Sequence, residues 1–199
     1  SAPVLDSAKF SSNPSKILVT FDTPTDKASD SITLSARGTF ACTQLFDASG
    51  GTVKGLAQSQ CRWSSSSTLT IILGRGDPIT GDNAEVGETL TLLPDILSPC
   101  ATCCPVQTQT CPAAVSGSVP IAAPDDPMSP SVSLSTSSRI GSCADIIIDP
   151  TSSTGAGGRD WRSVSWGISG DGSQNATALD GMNDILNGTG TSARVTLPS

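Results

Sequence analysis

Seven cysteines hold most of the chemistry available to this 199-residue chain. Cys42 and Cys61 bracket a hairpin region, and a bridge between them closes a loop of about 20 residues, worth roughly 3 kcal/mol on the chain-entropy account. Cys100, Cys103, Cys104 and Cys111 crowd into one stretch, and Cys143 stands alone further on. Adjacent cysteines rarely pair with each other, so Cys103 and Cys104 are expected to reach different partners. Cys100-x-x-Cys103 has the spacing of half a zinc site. No second pair follows at the usual distance, and the sequence contains no histidine to assist. Disulfides formed in an oxidising compartment are the expected use. Seven is odd, so one thiol is free, bridges two chains, or pairs with a residue beyond Ser199.

The missing histidine also removes the commonest general base, which excludes Ser-His-Asp and Cys-His arrangements within these residues. Two carboxylates can hydrolyse a glycoside. The 18 acidic residues show no distinctive pairing for it, and Asp125-Asp126 lies between prolines, where a solvated turn is the simpler reading. Asp171, Ser173, Asn175 and Thr177 occupy alternate positions of a calcium loop, but Ala176 stands where glycine is needed and Met182 where glutamate is. The chain is therefore expected not to be an enzyme, and nothing in it implies a cofactor. A formal net charge of -7, with 11 basic residues scattered singly, argues against nucleic acid, because phosphate binding needs clustered Lys and Arg.

Two asparagines invite modification. Asn175-Ala176-Thr177 and Asn187-Gly188-Thr189 are acceptor sequons, and covalent glycans are expected on both, whereas Asn13-Pro14-Ser15 is excluded by its proline. Trp63, next to Cys61, and Trp166 are expected to fill cores. Trp161 follows Arg159-Asp160 at a strand start, where an exposed indole offers a platform for a sugar. No apolar run approaches the ~20 residues of a membrane helix.

The elements that must position these residues read as short strands. Ser, Thr, Gly, Pro and Ala fill a chain with only 15% charged residues, which suits strands and tight turns better than long helices. Ile17 to Asp22, Ser31 to Ser35 (with Ile32 and Leu34 on one face), Thr39 to Phe46, Gln60 to Trp63, Thr68 to Leu73 and Glu88 to Leu92 form a first β module over residues 1–98. Residues 99–130 carry seven prolines and four cysteines and are expected to be an extended, disulfide-pinned connector, neither helix nor central strand. A second module opens near Ser131. Ser131 to Ser135 alternates, Ile146-Ile147-Ile148 reads as a buried strand, and Val164, Trp166 and Ile168 share one face. Leu179 to Leu186 has helical spacing, and Thr191 to Leu197 begins another strand. That is short of a closed sandwich, so either the chain continues or a neighbouring subunit supplies the missing strands.

Two stretches resemble a known family. Ser142-Cys143-Ala144-Asp145-Ile146-Ile147-Ile148-Asp149-Pro150 through Arg159, followed by Trp166, resembles the start of the receptor-for-egg-jelly module of polycystin-type receptors and of large algal and protist surface proteins. Ala193 to Ser199 looks like a later strand of that module. Phe10 to Asp22, Gln60-Cys61-Arg62-Trp63 and Thr68-Leu69-Thr70 are similar to the Ig-like unit that precedes it. The resemblance implies an all-β protein of two Ig-like or fibronectin-like β-sandwich modules (residues 1–98 and 131–199, the second incomplete) in a glycosylated extracellular region, and it implies no catalytic residues. The expected role is a structural subunit of an extracellular assembly, self-associating or packed on neighbouring modules. The alternative is a ligand- or glycan-binding receptor ectodomain, which requires a membrane anchor elsewhere.

Overall fold

The computed structural model of the chain describes residues 1–49, 53–74, 83–99, 114, 116–137, 141, 144–156, 161, 164–170, 176–189 and 194–197. They divide into two compact units, Ser1–Met128 and Ser129–Ser199. The first is mainly β, and among the described residues the second combines three short strands with one helix.

The first unit holds β1 (Leu5–Phe10), β2 (Lys16–Phe21), β3 (Phe40–Ala41), β4 (Gln60–Trp63), β5 (Thr68–Ile72), β6 (Thr89–Thr91) and β7 (Ser118–Ala122). They form one sheet in the order β3-β4-β5-β2-β1-β7-β6. Every pair is antiparallel except β1 with β7. The central strands follow the period of two that places alternate side chains on opposite faces. Ile17, Val19 and Phe21 of β2 and Leu69 and Ile71 of β5 point into the core, while Leu18 and Ile72 face out. Burying each such side chain stabilises the fold by roughly 1.5–3 kcal/mol.

The sheet curls until the two ends of its strand order meet. A turn of 3-10 helix, Cys42–Gln44, carries the chain on from β3 to Phe46, which bridges Leu92 just after β6. The Asp47 N–H donates to the Thr91 carbonyl at 2.9 Å, and the Leu93 N–H to the Leu45 carbonyl at 3.0 Å. Leu45, Phe46 and Leu92 are all buried at this seam. Cys42 and Cys61 form a disulfide beside it, with Cα atoms 5.0 Å apart and both residues buried, so the start of the 3-10 turn is locked to β4.

Four segments differ from the sequence expectation. Thr39 to Phe46 is a strand only over Phe40–Ala41, after which the 3-10 turn Cys42–Gln44 takes over. Ser31 to Ser35 is not a strand: Ile32 is buried, but Leu34 is 58% exposed. Its backbone is used instead in a tight turn, where the Ser35 N–H donates to the Thr39 carbonyl at 2.7 Å and Gly38 takes a φ of 70°. Ser118–Ala122, inside the expected connector, is a strand between β1 and β6 despite Pro120. The pairing with β1 covers only Ala8–Ile121 and Lys9–Ala122, so the missing Pro120 N–H removes no bond from it. Leu5–Phe10, which the alternation does not reveal, pairs with β2. A register shift between Leu5 and Ser7 puts Leu5 and Ala8 both inward at a spacing of three, which hides the period of two.

The second unit holds β8 (Ser135–Thr136), β9 (Ile146–Asp149), the helix α1 (Ala176–Thr189) and β10 (Val195–Leu197). The sheet order is β10-β9-β8, antiparallel throughout. Leu186 of α1 is buried with Val195 and Leu197, and Met182, Ile146, Ile148, Trp166 and Ile168 pack around them. The expected buried strand at the triple-isoleucine run is only half-buried, and on alternate residues, since Ile147 is 46% exposed. Ile146 and Ile148 face the small core that α1 completes, and Ile147 points to the opposite face. Residues 164–168 are not a strand either. The Asn183 carboxamide takes the place of a strand partner, accepting from the Ile168 N–H at 2.7 Å and donating to the Ile168 carbonyl at 3.1 Å.

Candidate interaction surface

The surface with most to offer lies in the second unit. Segment 130–136 runs extended beside residues 148–154, held by paired bonds at one end and a short ladder at the other. The Ser131 and Thr154 backbones exchange N–H···O bonds of 2.9 Å in both directions. The Ser133 N–H donates to the Ser153 hydroxyl oxygen at 3.0 Å, and that hydroxyl donates to the Ser133 carbonyl at 3.2 Å. Ser135 and Thr136 then pair with Asp149 and Ile148. Gly155, at a φ of 104°, allows the close approach: a Cβ there would meet the Pro130 Cα at 2.7 Å.

All these backbone bonds use Ser131, Ser133 and the β8 residues. The peptide groups of Val132 and Leu134 have no partner among the described residues. Their side chains, 76% and 54% exposed, line an apolar cleft of about 440 Å³ together with Pro130, Pro150, Trp161 and Trp166. Among the described residues no charged side chain lines the cleft; Ser153 and Ser165 supply hydroxyls. A concave, aromatic-lined surface of this kind suits an apolar strand or the flat face of a sugar ring.

An electrostatic feature among the described residues nearby braces the sheet. Asp149 accepts from the Thr151 hydroxyl at 2.5 Å and the Thr151 N–H at 3.0 Å, and from the Arg194 guanidinium at 2.7 Å. The Thr151 bonds, more than Arg194, hold its carboxyl down at about 2. The pair ties β10 to β9 at the surface, where ion pairs contribute little individually.

Trp166 is half-buried between this cleft and the small core, and its indole N–H is buried without a partner among the described residues. Trp161 sits in the cleft wall, half-buried. Trp63 belongs to the other unit. Its ring packs on the large core 5.6 Å from Phe21, and its indole N–H is likewise unpartnered. Asn187 falls in the last turn of α1. Asn175 and the cysteines at 100, 103, 104, 111 and 143 lie outside the described residues. Among the described residues no cluster of His, Cys, Asp or Glu is placed to hold a metal ion, and no helix is long and apolar enough to cross a membrane.

Sequence reasoning singled out the two tryptophans but not their convergence with Val132 and Leu134. The alternation of Ser131 to Ser135 was the available signal, and it reads equally as an ordinary half-buried strand. The chain matches no family model, no curated protein and no solved structure.

Proposed function

We propose that this chain is a structural subunit of an extracellular glycoprotein assembly, such as a fibril, a ciliary hair or a cell-surface coat, built of Ig-like modules of which the second is of the receptor-for-egg-jelly type. The observation that carries the reading is the open, uncharged edge at Val132 and Leu134, beside an apolar cleft on a unit with few buried residues. Soluble proteins usually blunt such an edge with charge, proline or a covering element. A building block that meets neighbours has reason to keep it. The buried Cys42–Cys61 disulfide supports an oxidising compartment. In this reading Asn175 and Asn187 carry glycans, and unmodified asparagine in peptides from native material counts against it. Electron microscopy of the protein taken from its source tests the role: filaments with a regular repeat are expected, and discrete single particles would sink it.

A second reading is favoured by Trp161 and Trp166 in one cleft: a glycan-binding ectodomain of a polycystin-type receptor. Binding to a glycan array that Trp161→Ala abolishes is its signature.

A further inference from the structure

We infer that the edge from Ser131 to Thr136 pairs with the same edge of a second copy of this chain, antiparallel and about a two-fold axis at Ser133. The inference rests on the structural-subunit reading and names its surface. It starts from the order of residues. Ser131-Val132-Ser133-Leu134-Ser135 has the same polar and apolar pattern read in either direction. In a pairing centred on Ser133, Val132 of each copy lies opposite Leu134 of the other, and Ser131 opposite Ser135. Serines then meet serines on one face of the joined sheet, and apolar side chains meet on the other.

The backbone fits the same register. In an antiparallel ladder, residues whose N–H and C=O both point across the gap alternate with residues that point away. Ser131 and Ser133 point inward to residues 153 and 154. Val132 and Leu134 therefore point outward, and their peptide groups have no partner among the described residues. Each Val132–Leu134 pair in the dimer exchanges both N–H···O bonds, so the outward groups of both residues are satisfied. Pro130, opposite Thr136, has no N–H to give and limits the ladder to this length.

Charge selects the occupant. The chain is at -7, so copies repel over most of their surface, but no charged residue occurs between Asp126 and Arg139. The edge is thus a place where two like-charged molecules can meet without opposing charges directly. A partner of other sequence would gain nothing from the two-way pattern, whereas a two-fold contact requires self-complementarity of this kind. The pairing also brings Val132 and Leu134 of the second copy alongside the cleft that contains Trp161 and Trp166. One strand pair is small for a permanent interface, so the dimer is reversible and concentration-dependent.

The test uses the full chain in oxidising buffer. Opposed Ser133 residues form a non-hydrogen-bonded pair with Cα atoms about 4.5 Å apart, within disulfide reach. Ser133→Cys is expected to give a reducible dimer well above the background of the unsubstituted chain. Ser131→Cys is not, since its own counterpart lies about 13 Å away along the strand. Sedimentation of the unsubstituted chain should show a dimer that Leu134→Lys abolishes while the circular dichroism spectrum is kept. A monomer at every concentration, or equal cross-linking through Ser131→Cys, overturns the pairing. So does binding of an unrelated strand peptide without self-association. Native filaments with no Ser133 cross-link would leave the assembly reading standing and remove this interface. Cross-linked dimers with no native filaments would do the reverse.

Discussion

The two units solve the problem of a β-sheet's edges in opposite ways. In Ser1–Met128 the strand order bends round until Phe46 bridges Leu92, and twenty-three described hydrophobic residues form the buried core. In Ser129–Ser199 the described core cluster has three buried hydrophobic residues, and the peptide groups of Val132 and Leu134 are left facing outward. The first unit has large buried apolar residues on both sides of its seam, Leu45 and Phe46 against Leu92, while the second has Val132 and Leu134 on a cleft wall. Closure makes a unit independent of its neighbours, and an open edge makes it responsive to them.

Opening the seam should erase the contrast most strongly. Phe46→Ala removes a fully buried ring at the bridge and is expected to cost about 3–5 kcal/mol, read as a lowered urea midpoint for the first unit. Hydrogen exchange at β3 and β6 should then rise towards the rate of β8. Replacing both cysteines, Cys42→Ala with Cys61→Ala, should cost about 3 kcal/mol, since the bridge spans a sequence separation of 19; reduction of the native protein should move the same transition. An unchanged midpoint would show that the seam closes without its lock.

Smaller effects sharpen the other side. Gly155→Ala forces a left-handed φ on a side chain and sets its Cβ against the Pro130 backbone. A loss of at least roughly 1–2 kcal/mol is expected, with faster exchange of the Ser131 and Thr154 amides and no change in the first unit. Least of all, acid should loosen β9 from β10. The Asp149 carboxyl is depressed from 3.8 to about 2 in the folded chain. Its contribution is therefore complete above pH 4 and is lost as the pH falls through about 2. Thr151→Ala should raise the Asp149 titration midpoint seen by NMR more than Arg194→Ala does.

Where alternation met a single buried face, the strands were readable in the residues. Gln60–Trp63, Thr68–Ile72 and Thr89–Thr91 lie within the segments that periodicity marks, and Lys16–Phe21 starts one residue before its segment. It fails where another geometry intervenes. The irregularity after Leu5 breaks the period in β1, and in β7 a proline sits just outside a two-pair register. At Val164-Ser165-Trp166-Gly167-Ile168 the alternation is present and the inward placement of Trp166 and Ile168 holds, but a side-chain amide from α1 does the work of a ladder. The cleft was hidden for a different reason. Trp161, Pro150 and Val132 are distant in sequence, and the pairing of segment 130–136 with residues 148–154 sets Val132 beside Pro150 in the cleft wall.

The parallel pairing of β1 with β7 gives the first unit a direction of mechanical strength. Tension applied at Ser1 and Met128 pulls the start of β1 one way and the end of β7 the other, so the contact between them is loaded in shear. The Ala8–Ile121 and Lys9–Ala122 pairs, the Lys9–Asp125 ion pair at 2.9 Å and the Met128 N–H bond to the Ser12 carbonyl at 3.2 Å share that load and must yield together. Peeling a hairpin breaks its bonds one after another at low force. Single-molecule pulling between those two residues should therefore give a rupture force above that of a peeled hairpin, and a force no greater would mean the strain escapes elsewhere. A chain drawn taut in this direction resists as a tether does, along the line in which a thread is pulled.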